Sequence, residues 1–172
     1  SPLRRREQPH ALAYWAARYQ PLAGDPGAGR AADSLEDALE AWPLFGDAQA
    51  RLGYFFLVVR HLDGWAPFAA AVDAAPLPAP DELDAWLDTL CRRAAALYVA
   101  HPAARVAYVH ALTIPSALRR LAPRLDPDDR VRAAGYVLQA VGALHSMFGD
   151  PDSRPEDDEE VPDEEDMAEY AE

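Results

Sequence analysis

With 172 residues, 50% of them hydrophobic, the chain has room for one ordinary domain with a real core. Its single cysteine, Cys91, excludes an intramolecular disulfide framework and a thiolate zinc site, and the absence of lysine removes Schiff-base chemistry and the phosphate loop that ends in Gly-Lys. The formal charge of −13 is concentrated: residues 150–172 carry thirteen acids against Arg154, and the rest is close to neutral, so a basic nucleic-acid footprint is absent.

A first helix is expected over about 8–19, with Leu12, Trp15 and Tyr19 at helical spacing. Residues 20–33 (QPLAGDPGAGRAAD) have the composition of a loop. Ser34 followed by Asp37 resembles a capping box and opens a short helix that stops near Trp42-Pro43. The next helix, about 47–62, is apolar almost all round at Tyr54, Phe55, Phe56, Leu57, Val58 and Val59, which predicts a buried element at the centre of the bundle. Asp63-Gly64 breaks it, and a short helix follows through Phe68 and Val72. The proline-rich link 75–80 leads to a long helix over about 81–100 whose apolar stripe is Leu83, Trp86, Leu87, Leu90, Ala94 and Leu97. Pro102 closes it. A helix from Ala103 to about Leu121 is interrupted by Pro115, and Asp126 or Asp128 caps a last one reaching Phe148.

The fold class is therefore all-α: an antiparallel helical bundle or array over residues 1–149, followed by a disordered acidic tail, 150–172. No run approaches the roughly 18 apolar residues of a membrane span; the longest, around Leu52 to Val59, stops at Arg60. The basic start (Arg4, Arg5, Arg6) is followed by Glu7, His10 and Arg18, unlike a secretory signal, so a reducing, cytoplasmic setting is the expectation. The tail reads as a solubilising spacer, or, through its Met167–Tyr170 end, as a segment able to fold against a basic groove.

Local motifs give little chemistry. The glycine cluster 24–29 is G-x-x-G-x-G, the wrong order for a dinucleotide fingerprint, and no metal-binding or nucleophile-elbow pattern appears. Asp81, Asp84 and Asp88 share a helical face that could hold a cation, but acids in first turns are also what the helix dipole favours. Cys91 beside Arg92 and Arg93 reads as an inert core thiol rather than a nucleophile. The most suggestive segment is RVAYVHALTIPSALRRLAPRLD, 105–126. His110 and Thr113 share a helix face, and Pro115 frees the carbonyl of Ala111, so a polar notch is expected in an apolar helix. Such a notch could orient a phenol or accept its proton; the alternative is a kinked core helix whose histidine is satisfied by a neighbour.

The segments ALAYWAARYQPL (11–22), ALYVAHPAARVAYVHALTIPSALRRLAPRLD (96–126) and YVLQAVGALHSMFG (136–149) resemble the C-terminal part of the questin oxidase-like family. The specific part is His110-x-x-Thr113 followed by Ala-Leu-Arg ending at Arg119; the remainder is alanine-rich helix. The resemblance implies an oxidoreductase acting on polycyclic phenols of the anthraquinone class, NADPH- and oxygen-dependent, opening a ring in a Baeyer–Villiger-like oxidation. It implies His110 and Thr113 as the catalytic positions, with His61 and His145 as weaker candidates. Family proteins are about twice this long, with histidine-bearing helices in their first half, so the chain is expected to be a piece of a longer protein or a short member.

Two readings follow. In the first, an apolar helical cavity binds an aromatic polyketide, lined by residues such as Trp15, Tyr98, Tyr108 and His61, while Arg119 holds developing negative charge. NADPH enters by resemblance only, since no residues here form its binding motif. In the second, the chain is a non-catalytic helical interaction module that docks on a missing N-terminal half, a partner or a second copy.

Overall fold

The computed structural model describes residues 9–10, 12–14, 16–17, 19–28, 32–47 and 55–152. Described positions between 9 and 17 are helical, as the spacing there predicts; Trp15, Tyr54 and residues 153–172 lie outside the described set. Among the described residues there is no strand, and the architecture is all-α. No helix is long and apolar enough to cross a membrane.

The helices are α1 (Leu35–Glu40), α2 (Phe55–Val58, continued by a 3-10 turn Val59–Leu62), α3 (Ala66–Ala74), α4 (Leu83–Ala100), α5 (Arg105–Leu121) and α6 (Pro127–Phe148). Ser34 caps α1: its hydroxyl accepts from the Asp37 amide at 3.1 Å and donates to the Asp37 carboxylate at 2.6 Å. Gly64, with φ at +74°, makes the break after α2 that a residue with a Cβ would adopt only with strain. Asp126 occupies the N-cap of α6 with Pro127 as the first helical residue.

Helix α4 buries Leu83, Trp86, Leu87, Leu90, Ala94 and Leu97, the stripe that its periodicity predicts. It turns through a 3-10 segment, Pro102–Ala104, into α5. Contacts of Arg119, late in α5, with Asp84 and Asp88, early in α4, set the two helices antiparallel. Contact between Tyr108, early in α5, and His145, late in α6, does the same for the next pair.

Two expectations change. The centre of the array is α6, not the FFLVV helix. Between Ala134 and Met147 only Tyr136 and Ala140 escape full burial, whereas Leu57 of α2 is 45% exposed and Phe55 and Val59 are half-buried. The reason is composition: Gly135 and Gly142 let α6 be approached closely, whereas the bulky α2 run covers only one side. The indole of Trp42 lies on Gly142 where any side chain would overlap it, and its Nε1 donates to Ser146 Oγ at 3.0 Å. Second, α5 runs through Pro115 without interruption. Pro115 is buried on the inward side of the helix with Ala111 and Leu118, and that burial outweighs the local loss of one backbone bond.

Long-range ties complete the body. Gln139 of α6 donates to the carbonyls of Leu22, Ala23 and Gly24 at 3.1–3.4 Å, fastening the 19–28 loop to the central helix. The Trp86 indole donates to Pro76 O at 3.1 Å and secures the proline-rich link.

Candidate functional site

Helix α5 presents His110 and Thr113 outward, one turn apart, while Ala111 and Pro115 face the core. The expected notch inside an apolar core is therefore not formed: imidazole and hydroxyl lie on the exposed side, and the residues that flank the freed carbonyl lie inside. Thr113 Oγ1 donates to the His110 carbonyl at 3.2 Å, and Ser116 Oγ to that of Leu112 at 2.9 Å, so hydroxyls supply local bonds around the proline. The hydroxyl proton of Thr113 is engaged, and its lone pairs remain for a ligand.

His110 does not stand alone. The Phe55 ring meets its imidazole edge-on, with centroids 5.4 Å apart at 85°, and Phe55 packs in turn on Phe148 at 5.3 Å and 70°. Three elements, α2, α5 and the end of α6, thus build a shelf with aromatic walls and one exposed imidazole. Edge-to-face contacts of this kind fix ring orientation and contribute roughly 0.5–1.5 kcal/mol each beyond area burial.

The other sequence candidates are dispersed. Arg119 sits nine residues further along α5, about 14 Å by helical rise, and its guanidinium is taken by Asp88 and, more loosely, by Asp84 at 3.9 Å. The same contacts place Arg119 where a cation on the Asp84–Asp88 face would sit. The cleft at this end of α4 and α5, about 610 Å³, sets Asp81, Asp84 and Asp88 against two arginines, of which the second, Arg130, donates to Ala122 O at 2.9 Å and Leu125 O at 3.1 Å. Tyr98 is half-buried under the Arg105 guanidinium, 5.8 Å from its ring centroid. His61 is exposed and belongs to a different aromatic group, 6.0 Å from Phe45, which packs on Trp65 at 5.1 Å.

A buried polar cluster lies behind the shelf, and the sequence only half announces it. The Tyr108 hydroxyl and His145 Nδ1 share a 2.8 Å hydrogen bond, with His101 packed on Tyr108 at 5.0 Å between ring centroids. His101 Nδ1–H donates to Leu97 O at 2.9 Å, a carbonyl that can only accept, while its other ring nitrogen, Nε2, points elsewhere. That atom and Arg93 Nε are buried without a hydrogen-bond partner among the described residues. Burial above all, then the neighbouring Arg93 and His101, lower His145 to about 4, so its ring is neutral at ordinary pH. Tyr108, read from sequence as a cavity-lining residue, is 0% exposed. It cannot meet a ligand without local opening. His101 carried no signal of its own in the sequence, where Pro102 marks only the end of the helix. His145 carried a faint sign, a histidine in line with Leu138 and Val141 on an apolar helix face.

Among the described residues no group of three or more His, Cys, Asp or Glu side chains could hold a metal ion. Among the described residues, Gly24 and Gly27 do not fit a pyridine dinucleotide either. A Cβ on Gly24 would collide with Val72 and one on Gly27 would press on Leu77, so these glycines serve packing, and the arginines at the cleft are engaged by protein groups. No protein-family model, curated protein or solved structure matches this chain.

Proposed function

We propose that this chain binds a planar polycyclic phenol on the α5 shelf, as the aromatic-binding part of a questin oxidase-like oxidoreductase. The observation that carries the reading is the pairing of His110 with Thr113 on one exposed face, with Phe55 set edge-on to the imidazole. The chemistry follows from the parts. Phe55 and Phe148 offer apolar surface to an aromatic ligand, the His110 imidazole accepts the phenolic proton, and Thr113 Oγ1 accepts a hydrogen bond from a second hydroxyl. A phenolate is the more electron-rich form of the ring, which suits it to the oxygen-dependent, Baeyer–Villiger-like opening that the resemblance implies. The chain's share is binding, orientation and proton acceptance. No step is routed through NADPH, whose site these residues do not form.

The test is a melt of the chain with a hydroxyanthraquinone. A ligand at a hundred times its Kd stabilises the folded state by about 2.7 kcal/mol. The melting temperature should rise with ligand, and His110→Ala should weaken binding about tenfold while lowering the ligand-free stability by no more than the Phe55 contact contributes, roughly 0.5–1.5 kcal/mol. A wild-type melt indifferent to ligand would sink the reading.

A second reading has its own observation. Val99, Val106 and Val109 are 58%, 69% and 42% exposed at the α4–α5 corner, and Arg119 is already neutralised by Asp88. A non-catalytic module docking on a helical partner or a second copy uses such a face. It predicts association that His110→Ala leaves intact and no response to the phenol.

A further inference from the structure

The charge of this protein is segregated in a way that meets the fold at one place. From Thr89 to Leu125 there is not a single acidic residue, against six arginines and two histidines. That interval is the second half of α4 and all of α5. On α5 the exposed residues Val106, Val109, His110, Thr113, Ala117 and Arg120 fall on one stripe, about 21 Å long by helical rise. Arg92 and Arg119 have carboxylate partners, Glu36 and Asp88, whereas Arg105, Arg120 and Arg124 have none among the described residues. The stripe thus ends on Arg120, with Arg124 just beyond it and Arg105 flanking its start, and carries apolar residues between these charges.

The chain's own acidic segment starts beside this stripe. Phe148, the last residue of α6, touches Phe55, which touches His110. Residues 153–172 carry eleven acids against Arg154, interspersed with Val161, Met167 and Tyr170. Twenty residues span roughly 25 Å as a coil and over 60 Å extended, so the segment can reach the whole stripe. A tether this short sets an effective concentration in the millimolar range, enough for contacts that would fail between separate molecules.

We propose that the acidic C-terminal segment docks in cis on the outer face of α5, its carboxylates on Arg105, Arg120 and Arg124 and its apolar residues against Val106 and Val109.

The experiment uses the full chain without ligand, so its failure and the failure of the phenol reading are separable. Amide spectra of the wild type are compared with a chain whose acids at 156–166 are replaced by Gln and Asn. Val106 to Arg120 should shift, while α3 stays unmoved. A spin label on Tyr170→Cys, in a Cys91→Ala background, should broaden the α5 amides several-fold more than those of α3 at low salt. The excess should vanish near 0.5 M salt, where charges are screened within a few ångströms, and in the triple variant R105E/R120E/R124E. Even broadening over the whole surface would overturn the proposal, as would shifts confined to the tail. Broadening that persists when label and isotope sit on different molecules would overturn it in favour of docking between copies.

Discussion

The residues that decide this structure are the small ones under large rings and the polar ones under cover. Gly142 is the sharpest case, because the Trp42 indole occupies the space of its missing side chain. Gly142→Ala should cost about 3 kcal/mol, through overpacking and a displaced indole that loses its bond to Ser146. Gly46, with nothing near its Cβ position and no left-handed backbone, is the control; Gly46→Ala should change stability by less than about 0.5 kcal/mol. Chemical denaturation of the two variants checks both, and equal midpoints would contradict the packing described for α6. None of this is legible in sequence. A glycine in a helix reads as a weak point until the ring that needs it is placed.

Among the elements, α4 and α5 show how far periodicity carries. The α4 stripe was legible residue by residue, because the helix has one neighbour-facing side and solvent on the other. On α5 the pattern located His110 and Thr113 on a common face but could not say that the face was exposed; that depends on which side of α5 meets α4 and α6. The α5–α6 junction depends on one side chain. Arg130 donates to the carbonyls of Ala122 and Leu125, where the chain leaves α5 and its last carbonyls lack helical partners. Arg130→Ala should therefore cost about 1–2 kcal/mol, and Arg130→Lys should recover less than half, since both bonds come from the arginine Nε and lysine has a methylene at that position. A lysine variant as stable as the wild type would show that charge alone secures the junction.

Over the whole molecule, the buried His145 couples stability to pH. In the unfolded chain a histidine takes its proton near pH 6.5, whereas the folded protein refuses it until about 4. Between those values the unfolded state holds more protons, so stability falls as pH drops through the window, by about 3 kcal/mol in all, and levels off below it. His145→Asn, which keeps a polar partner for Tyr108, should flatten the slope of melting temperature against pH between 6.5 and 4. Parallel slopes for the two proteins would remove His145 as the cause. The cluster joins residues 101 and 108, on either side of the turn between α4 and α5, to residue 145, thirty-seven positions beyond Tyr108 on α6.

The sequence by itself determined the all-α class, the positions of the principal breaks, the apolar stripe of α4 and the segregation of charge into the last twenty-three residues. Helical periodicity, proline and glycine breaks and composition are local properties, and one strand of text contains them. Tertiary structure alone decided that α6 rather than α2 lies at the centre and that α5 continues through Pro115. It also decided that Arg119 is spent on Asp88 while His110 faces outward beside Phe55. Each of these depends on which face of one helix meets which face of another. Burial, pairing and exposure are properties of that meeting, not of any helix taken alone.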